Sequence, residues 1–501
     1  MAQAELIRAK TARIAASRRR RRRWLVLVFA LAVFAAANLA YLADIRGHQP
    51  LLLLSWFDLS VYNHGGLLAL HSPATLYSWQ LMPGIKFTYT PFAALLFAGT
   101  STLPWTVLTT LVTITSVIAV PLTGWLTFGA LGWRGMRRLS AALALAAVAL
   151  WTEPVQRALH LGQVELLLML LIVWDLCQGD NRRWKGAGIG LAAGIKLVPL
   201  IFIPYLLLAG KLRQAAVATA SFVVTTVIGF IFLPKDSASY WFTGYFLHPR
   251  NTGSVGALVN QSMLGFLTRL VGTESAARPV WEISCVIIAV LGLAAAAVLH
   301  RSGRPVEGWV ACALTGLLVS PISWDHHWVW ILPILAVLVD LGVRARGALR
   351  WGAWALMAGL AGLFGAWPVR WSGTWAFVPV GLLGFFVDPF SQYRLSAPSA
   401  PVVYHKPGVF HQLIDGYLRA IKIQRVYNLQ GSQVLGKNLY VLAGLALFVL
   451  VLVAALRAGP WRARRAASSA GPRDSLARPV LDDVVLDDVV LDDVALTGGE
   501  P

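Results

Sequence analysis

The stretch RRRRRRWLVLVFALAVFAAANLAYL, residues 18–42, decides the fold, because six arginines are followed at once by an apolar run. The run 24–42 has about the 20 residues that an α-helix needs to cross the hydrocarbon core of a bilayer. It is too long for the apolar part of a typical secretory signal, and no small-x-small cleavage site is clearly followed by a soluble domain. We therefore predict an uncleaved first membrane span, preceded by a basic cytoplasmic segment 1–23.

The composition of the whole chain favours a membrane protein. Of the 501 residues, 57% are hydrophobic and 13% are charged, about half the charged share of soluble proteins. The net charge of +20 lies in short clusters between apolar runs, as in cytoplasmic loops, so we expect no nucleic-acid partner. Cys177, Cys285 and Cys312 lie in or beside apolar segments without metal-like spacing, which indicates packing residues.

The basic clusters order the remaining apolar runs into a membrane map. An all-α, polytopic transmembrane helical bundle with about 10–12 membrane segments in residues 24–456 satisfies every cluster. Residues 186–208 lie between two basic loops and are interrupted by Gly190, Gly194, Pro199 and Pro204, so we predict a broken, partly re-entrant segment. The map leaves both termini in the cytoplasm and predicts external loops at 43–90, 234–279 and 370–436.

The C-terminal segment 457–501 differs from the rest of the chain. The sequence VLDD recurs at five-residue steps within residues 480–493, a period that fits neither a helix nor a strand. We predict a disordered, acidic cytoplasmic tail.

Ionisable residues beside membrane segments are costly and are therefore functional candidates. Asp58, in WFDLSVY (56–62), is either a helix cap or surface ion-pair partner, or a general base on a sugar hydroxyl. Lys196, in GIKLVP (194–199), either pairs with an anion or extends its ammonium to the membrane interface. The residues themselves leave both a structural and a functional interpretation open for Asp58 and for Lys196.

The turn SPISWDHHW (320–328) carries two adjacent histidines. His326 and His327 either donate hydrogen bonds to a phosphate or sugar, or belong to an interfacial aromatic belt. The spacing of a zinc-binding H-E-x-x-H helix is absent, so we predict no metal. The polar groups around Glu153 and Gln163, and the pair Asn260-Gln261, fit either polar turns and helix caps or sugar binding.

Seven motifs in order resemble a known family. They are FDLxVY (57–62), FTYxPFAA (87–94), EP (153–154), GQVxLL (162–167), GIKLxP (194–199), NQS (260–262) and SPISWxHHWVW (320–330). Together they resemble glycosyltransferase family 87 of the GT-C superfamily. They are most similar to its actinobacterial polyprenol-phosphate-mannose-dependent α-(1→2)-mannosyltransferases.

The resemblance implies a GT-C transmembrane domain at 24–456 and an inverting transfer on the outer face of the plasma membrane. Mannose would move from a polyprenyl-phosphate-linked donor to a hydroxyl of a cell-envelope glycolipid or lipoglycan. Asp58 matches the general base. The residues expected to hold the donor phosphate or sugar are Lys196, His326, His327, Arg157 and Lys86. The residues expected to bind substrate are Tyr62, Tyr89, Glu153, Gln163, Asn260, Gln261 and Trp324.

The resemblance implies no cofactor, and the expected partners are the lipid-linked donor, the glycolipid acceptor and membrane lipids. Lys86 departs from the family pattern, in which a proline or another small or apolar residue is expected. One alternative stays within the family: an arabinofuranosyltransferase with a decaprenyl-phosphate arabinose donor. Another is a lipid or solute transporter, but the sequence has no obvious internal repeat of the kind that transporters often contain.

Overall fold

The computed structural model describes residues 2–47, 56–82, 85–248, 251, 253–365, 367–371, 374–378 and 432–469. Within these residues the chain is almost entirely helical, and the only strands are two short antiparallel hairpins. The predicted all-α class is confirmed.

The elements are numbered in chain order. The helices are α1 Ala2–Gly47, α2 Phe57–His71, α3 Pro91–Ser101, α4 Trp105–Ala130, α5 Gly135–Ala149, α6 Glu153–Leu161, α7 Glu165–Leu176, α8 Ala187–Ile195, α9 Phe202–Leu208, α10 Leu212–Phe232, α11 Pro234–Phe242, α12 Met263–Val271, α13 Glu274–Arg301, α14 Pro305–Val319, α15 Ile331–Arg344, α16 Gly347–Leu363, α17 Ser432–Gly436 and α18 Leu439–Ser469. Three 3-10 helices cover Val198–Ile201, Tyr245–Leu247 and Asp325–Trp330, and the strands are β1 Gln80–Met82, β2 Ile85–Lys86, β3 Trp367–Trp371 and β4 Thr374–Val378.

Six helical segments in the described part of the chain are long and apolar enough to cross a membrane. They are Arg20–Ala40, Trp105–Ala130, Leu212–Phe232, Glu274–Arg301, Asp325–Arg344 and Leu439–Ala458. The bent pair α6 and α7, with 116° between its helices, brings the number to seven if it forms one span. Other predicted segments form helices of fewer than 18 residues, such as α14 and α16. Large apolar side chains lie exposed along the long helices, as expected for surfaces that face lipid.

The segment 186–208 is broken at the predicted place. Helix α8 ends before Lys196, whose backbone is extended, and the chain continues as a 3-10 helix and α9. The Thr90 hydroxyl caps α3 and also donates a hydrogen bond to Gly194 O, so two of the sequence motifs meet at this break.

Both ends of this segment lie beside one cluster of charges. Asp180, in the turn before α8, accepts hydrogen bonds from Lys185 (2.8 Å) and from Lys211 (2.6 Å), which follows α9. Gln214 also donates to Asp180, at 2.9 Å. The segment 186–208 therefore starts and ends beside the Asp180 cluster, and Lys196 lies at its far point. Helix α7, with 12 residues, accounts for about 18 Å of the separation between the Asp180 cluster and Lys196.

Two predicted boundaries differ in the structure. Helix α1 runs without a break through the expected boundary at residue 23. Helix α18 continues to Ser469, although the disordered tail was predicted to begin at residue 457. The extension is rich in Ala and Arg, which are strong helix formers. The acidic repeats and most of the predicted loop 370–436 lie outside the described residues.

Candidate active site

A cavity of about 1040 Å³ opens at the end of the molecule opposite the Asp180 cluster. It is large enough for a hexose with a phosphate and part of a lipid chain. Ten of the predicted site residues line it: Asp58, Tyr62, Lys86, Tyr89, Arg157, Gln163, Lys196, Trp324, His326 and His327. Residues that are 269 positions apart in the sequence thus share one wall.

Backbone contacts around Trp56 place Asp58 in the cavity. Trp56 precedes α2 with a left-handed backbone (φ 42°), and its N–H donates to His160 O at 2.9 Å. Gly162 also has a positive φ of 67°, and a Cβ there would lie 2.8 Å from Leu59 Cβ. A larger residue at position 162 would push α2, and Asp58 with it, away from α6.

Neutral groups hold the Asp58 carboxylate. Gln163 Nε2 donates to Asp58 Oδ2 at 2.5 Å, and the Tyr62 hydroxyl donates to Gln163 Oε1 at 2.5 Å. The Tyr62 and Tyr89 hydroxyls are 2.7 Å apart. Within the described residues, no cation lies within ion-pair distance of Asp58. This carboxylate therefore keeps capacity to accept a proton from a hydroxyl group.

Burial raises the pKa of the Asp58 carboxyl above its ordinary value. Smaller opposing effects come from His326, Gln163, Lys196 and Arg157, all of which lower it. A carboxylate with a raised pKa in a cavity is a better general base than an ordinary surface carboxylate.

Lys196 and His327 line the cavity and both contact Glu165. The Lys196 ammonium forms a very short ion pair with Glu165 Oε1 and lies 3.0 Å from His327 Nε2. His327 Nε2 is also 3.3 Å from Glu165 Oε1. The predicted pairing of Lys196 with an anion is thus found within the protein, and the ammonium still reaches the cavity.

His326 contacts a different carboxylate. Its Nδ1 lies 3.1 Å from Asp325 Oδ1, and Arg157 Nε lies 3.8 Å from Asp325 Oδ2. His326 Nε2 is buried and has no hydrogen-bond partner in the described part of the chain. The two adjacent histidines therefore have distinct surroundings.

Three of the predicted substrate-binding residues do not line the cavity. Glu153 is buried behind it and accepts a hydrogen bond of 2.9 Å from the Tyr440 hydroxyl. Asn260 and Gln261 are fully buried, and their amide groups bind backbone. Asn260 donates to Val255 O and Pro321 O and accepts from Ser262 N and Ser323 N. Gln261 donates to Leu258 O and Lys437 O and accepts from Tyr440 N.

These amide contacts link two of the sequence motifs. Asn260 pairs with Trp324 through an isolated β-bridge, and Asp325 N donates to Val259 O at 2.8 Å. The NQS motif thus supports the turn that carries the two histidines. Lys86, at the edge of the cavity, lies 6.0 Å from the centre of the Tyr245 ring.

Glu165, His326 and His327 are close enough together to raise the question of a metal. Their ligand atoms lie within 4.8 Å of one another. The Lys196 ammonium, however, contacts two of the three, and a divalent cation would have to displace it. The arrangement fits an internal ion pair better than a metal centre, and the absence of a metal stays a prediction.

Sequence reasoning missed two charged residues of the site. Glu165 and Asp325 stand inside motifs that were recognised, beside Gln163 and His326, and neither was assigned a role. The positions of Glu165 and Asp325 inside these motifs could have pointed to them. No sequence motif pointed to Tyr440, because it lies 287 residues from Glu153 and contacts it only in the folded chain.

Comparisons with known proteins agree with the geometry. The family model described as glycosyltransferase family 87 matches residues 87–321. A Mycobacterium tuberculosis (strain ATCC 25618 / H37Rv) protein is 31% identical over 64% of this chain and 78% of its own length. It is named polyprenol-phosphate-mannose-dependent alpha-(1-2)-phosphatidylinositol mannoside mannosyltransferase.

A Mycolicibacterium smegmatis (strain ATCC 700084 / mc(2)155) protein is 34% identical over 60% of this chain and 74% of its own length. Its name specifies a phosphatidylinositol pentamannoside mannosyltransferase with the same donor and linkage. No solved structure matches the chain.

Proposed function

The chain belongs to glycosyltransferase family 87, and we propose that it transfers mannose from a polyprenyl-phosphate donor to a hydroxyl of a phosphatidylinositol mannoside or related glycolipid. The linkage formed is α-(1→2), as the names of the relatives state for those proteins. The chain is a membrane glycosyltransferase, and no cofactor takes part in the proposed reaction. The arabinose donor is not favoured, because the relatives compared here are named mannosyltransferases.

One observation carries the proposal: the lining of the cavity includes both a carboxylate and cations. Asp58, bound by neutral Gln163, lines the same cavity as Lys196, Arg157 and His326. A base and an anion-binding group in one cavity suit a displacement in which a hydroxyl attacks and a phosphate leaves. Four apolar side chains beside Lys196 line the cavity and suit a polyprenyl chain: Leu197, Val198, Leu200 and Ile201.

The reaction balances with these residues alone. The acceptor hydroxyl gives its proton to Asp58 as its oxygen forms a bond to C1 of mannose. The bond from C1 to the phosphate oxygen breaks on the opposite face, so the configuration inverts. The polyprenyl phosphate leaves with one additional negative charge, which Lys196 and His326 stabilise.

The test uses purified enzyme, polyprenyl phosphate carrying labelled mannose, and phosphatidylinositol mannoside acceptors. We expect a labelled product with one added α-(1→2)-mannose. A parallel reaction with decaprenyl-phosphate arabinose should give no product. Transfer of arabinose, or no transfer with either donor to any acceptor, would contradict the proposal.

We also propose that the cavity opens on the outer side of the plasma membrane, with both termini in the cytoplasm. The distribution of arginine and lysine supports this orientation. A thiol reagent that cannot cross membranes should label His64→Cys in intact cells, because His64 is exposed beside the cavity end. It should not label Arg134→Cys, and the reverse pattern would contradict the orientation.

A further inference from the structure

A line of buried polar groups leads from α18 to His326. The Tyr440 hydroxyl donates to Glu153 Oε2 at 2.9 Å, and the Glu153 and Asp325 carboxyl groups are close enough to interact with each other. Asp325 Oδ1 lies 3.1 Å from His326 Nδ1 and accepts the His326 backbone N–H at 2.8 Å. All four side chains are buried. The line joins three segments of the chain that are distant in sequence.

We infer that the two carboxyl groups share a proton, because two buried carboxylates that interact with each other repel strongly when both are charged. Asp325 has Arg157 Nε 3.8 Å from one oxygen and His326 Nδ1 3.1 Å from the other. Glu153 has the neutral Tyr440 phenol on its far side. The negative charge is therefore better stabilised on Asp325, and the proton lies on Glu153, which donates it to Asp325.

The anionic Asp325 fixes the orientation of the His326 ring. It accepts the proton on Nδ1, so Nε2 is the nitrogen left for the cavity. That atom is buried and has no partner among the described residues. A buried polar atom without a partner is costly, so it points to a group that a ligand supplies. In the doubly protonated form of a histidine ring both nitrogens donate, which would here serve Asp325 on one side and a phosphate oxygen on the other.

His327 is engaged differently. Its Nε2 lies 3.0 Å from Lys196 Nζ and 3.3 Å from Glu165 Oε1. This nitrogen is already occupied by protein groups, and His327 serves to hold the Lys196 ammonium. The neighbouring histidines are thus not interchangeable.

We propose that Glu153 and Asp325 are positioning residues that hold His326 with Nε2–H directed at the leaving phosphate, and that His326 rather than His327 makes this contact. The inference rests on the proposed function, because the phosphate is that of the polyprenyl donor. It also gives Glu153 a different task from sugar binding.

A double-mutant cycle tests the link between Asp325 and His326. We expect Asp325→Asn and His326→Gln each to lower kcat by about 10²–10³-fold, the usual cost of losing one donor to a developing anion. KM for the donor should change much less than kcat. The double variant should be no slower than His326→Gln alone, because both changes remove the same hydrogen bond.

His327→Gln provides the matched control for the cycle. Asp325→Asn should retain its full effect in the His327→Gln background, since the two residues act on different groups. The inference is wrong if kcat of the Asp325→Asn/His326→Gln double variant falls by the product of the two single fold losses. In that case Asp325 does not act through His326.

Glu153 offers a second test that does not depend on Asp325→Asn folding. Glu153→Ala should lower kcat by about 10–10²-fold because Asp325 loses the proton that Glu153 shares with it. Glu153→Gln should recover most of the loss, since its amide N–H donates to Asp325 as the protonated acid does. A Glu153→Gln variant that folds, by thermal unfolding in detergent, and is as slow as Glu153→Ala would contradict the shared proton.

Binding separates this inference from the proposed function. Quenching of tryptophan fluorescence, with Trp281 and Trp324 lining the cavity, can follow binding of a short polyprenyl phosphate that carries no sugar. Equal weakening in Asp325→Asn and His326→Gln would support the inference even if the wild-type enzyme transferred no mannose. Mannose transfer by wild type, with unchanged phosphate binding in both variants, would overturn the inference alone.

Discussion

Asp58 and Asp180 are carboxylates at opposite ends of the molecule, and their surroundings have opposite effects. Asp180 accepts hydrogen bonds from Lys185, Lys211 and Gln214, and the two ammonium groups outweigh partial burial and hold its pKa well below the usual range. Asp58 accepts one from neutral Gln163, and burial raises its pKa. The side chain of Asp180 is 56% exposed, yet it is the more firmly charged of the two.

These surroundings indicate that Asp180 has a structural role and that Asp58 has a chemical one. Two ammonium groups saturate Asp180, so it joins the turn before α8 to the start of α10 and has little affinity for a proton. Asp58 has a raised affinity for a proton, and it faces a cavity in which a hydroxyl can approach. Asp180 therefore provides a matched control for Asp58.

The largest effect should come from Asp58→Asn. The amide is nearly isosteric but cannot take a proton, so we expect kcat to fall by about 10²–10⁴-fold, the usual contribution of a general base. Asp180→Asn should leave kcat within about threefold and lower the free energy of unfolding by about 1–3 kcal/mol, because the Lys185 side chain, only 9% exposed, loses its anionic partner. Labelled mannose transfer and thermal unfolding measure the two quantities. If Asp58→Asn turns over at the wild-type rate, Asp58 is not the general base.

Lys196 and Lys185 extend the comparison to the cations. Each is largely buried and contacts a carboxylate, Glu165 for Lys196 and Asp180 for Lys185. Lys196→Met should lower kcat by about 10²–10³-fold because the leaving phosphate loses a cation. Lys185→Met should reduce thermal stability without a comparable loss of turnover. Equal effects of the two changes on kcat would mean that Lys196 has only a structural role.

The pH dependence of kcat/KM tests the raised pKa of Asp58. The base must be deprotonated, so activity should be present above the pKa of Asp58 and fall as pH decreases through it. Because burial raises this pKa, the fall should begin at a higher pH than that of an ordinary carboxylate, which titrates near pH 4.

Gln163→Leu sharpens this measurement. Its amide stabilises the charged form of Asp58, so its removal should move the acidic limb to still higher pH and lower the rate about tenfold near that limb. Gln178→Leu is the control, since Gln178 donates to Trp174 O at the other end of α7. If the limb stays in place in Gln163→Leu, a group other than Asp58 controls it.

The helical class and the interruption of 186–208 could be predicted from the sequence for physical reasons, and ten of the residues predicted for the site line the cavity. Apolar length specifies spans, glycine and proline interrupt helices, and ionisable residues beside spans are too costly to be incidental. Side-chain contacts between segments that are distant in sequence could not be predicted in this way. The contacts Lys196–Glu165 and Tyr440–Glu153 join residues 31 and 287 positions apart, and no local pattern encodes them. The amide pair Asn260-Gln261 was expected to bind sugar because an amide binds sugar and backbone equally well.

The smallest effect on catalysis should come from Asn260, which tests that last distinction. Its fully buried amide joins Val255 O and Pro321 O to Ser262 N and Ser323 N. Asn260→Ala leaves these groups without partners, so we expect the free energy of unfolding to fall by more than about 2 kcal/mol. KM for the donor should stay close to that of wild type at a temperature at which the variant is folded. Asn251→Ala, which removes one hydrogen bond to Tyr245 O at the edge of the cavity, should cost less stability. A stable Asn260→Ala variant with a raised KM for the donor would instead indicate that Asn260 binds sugar.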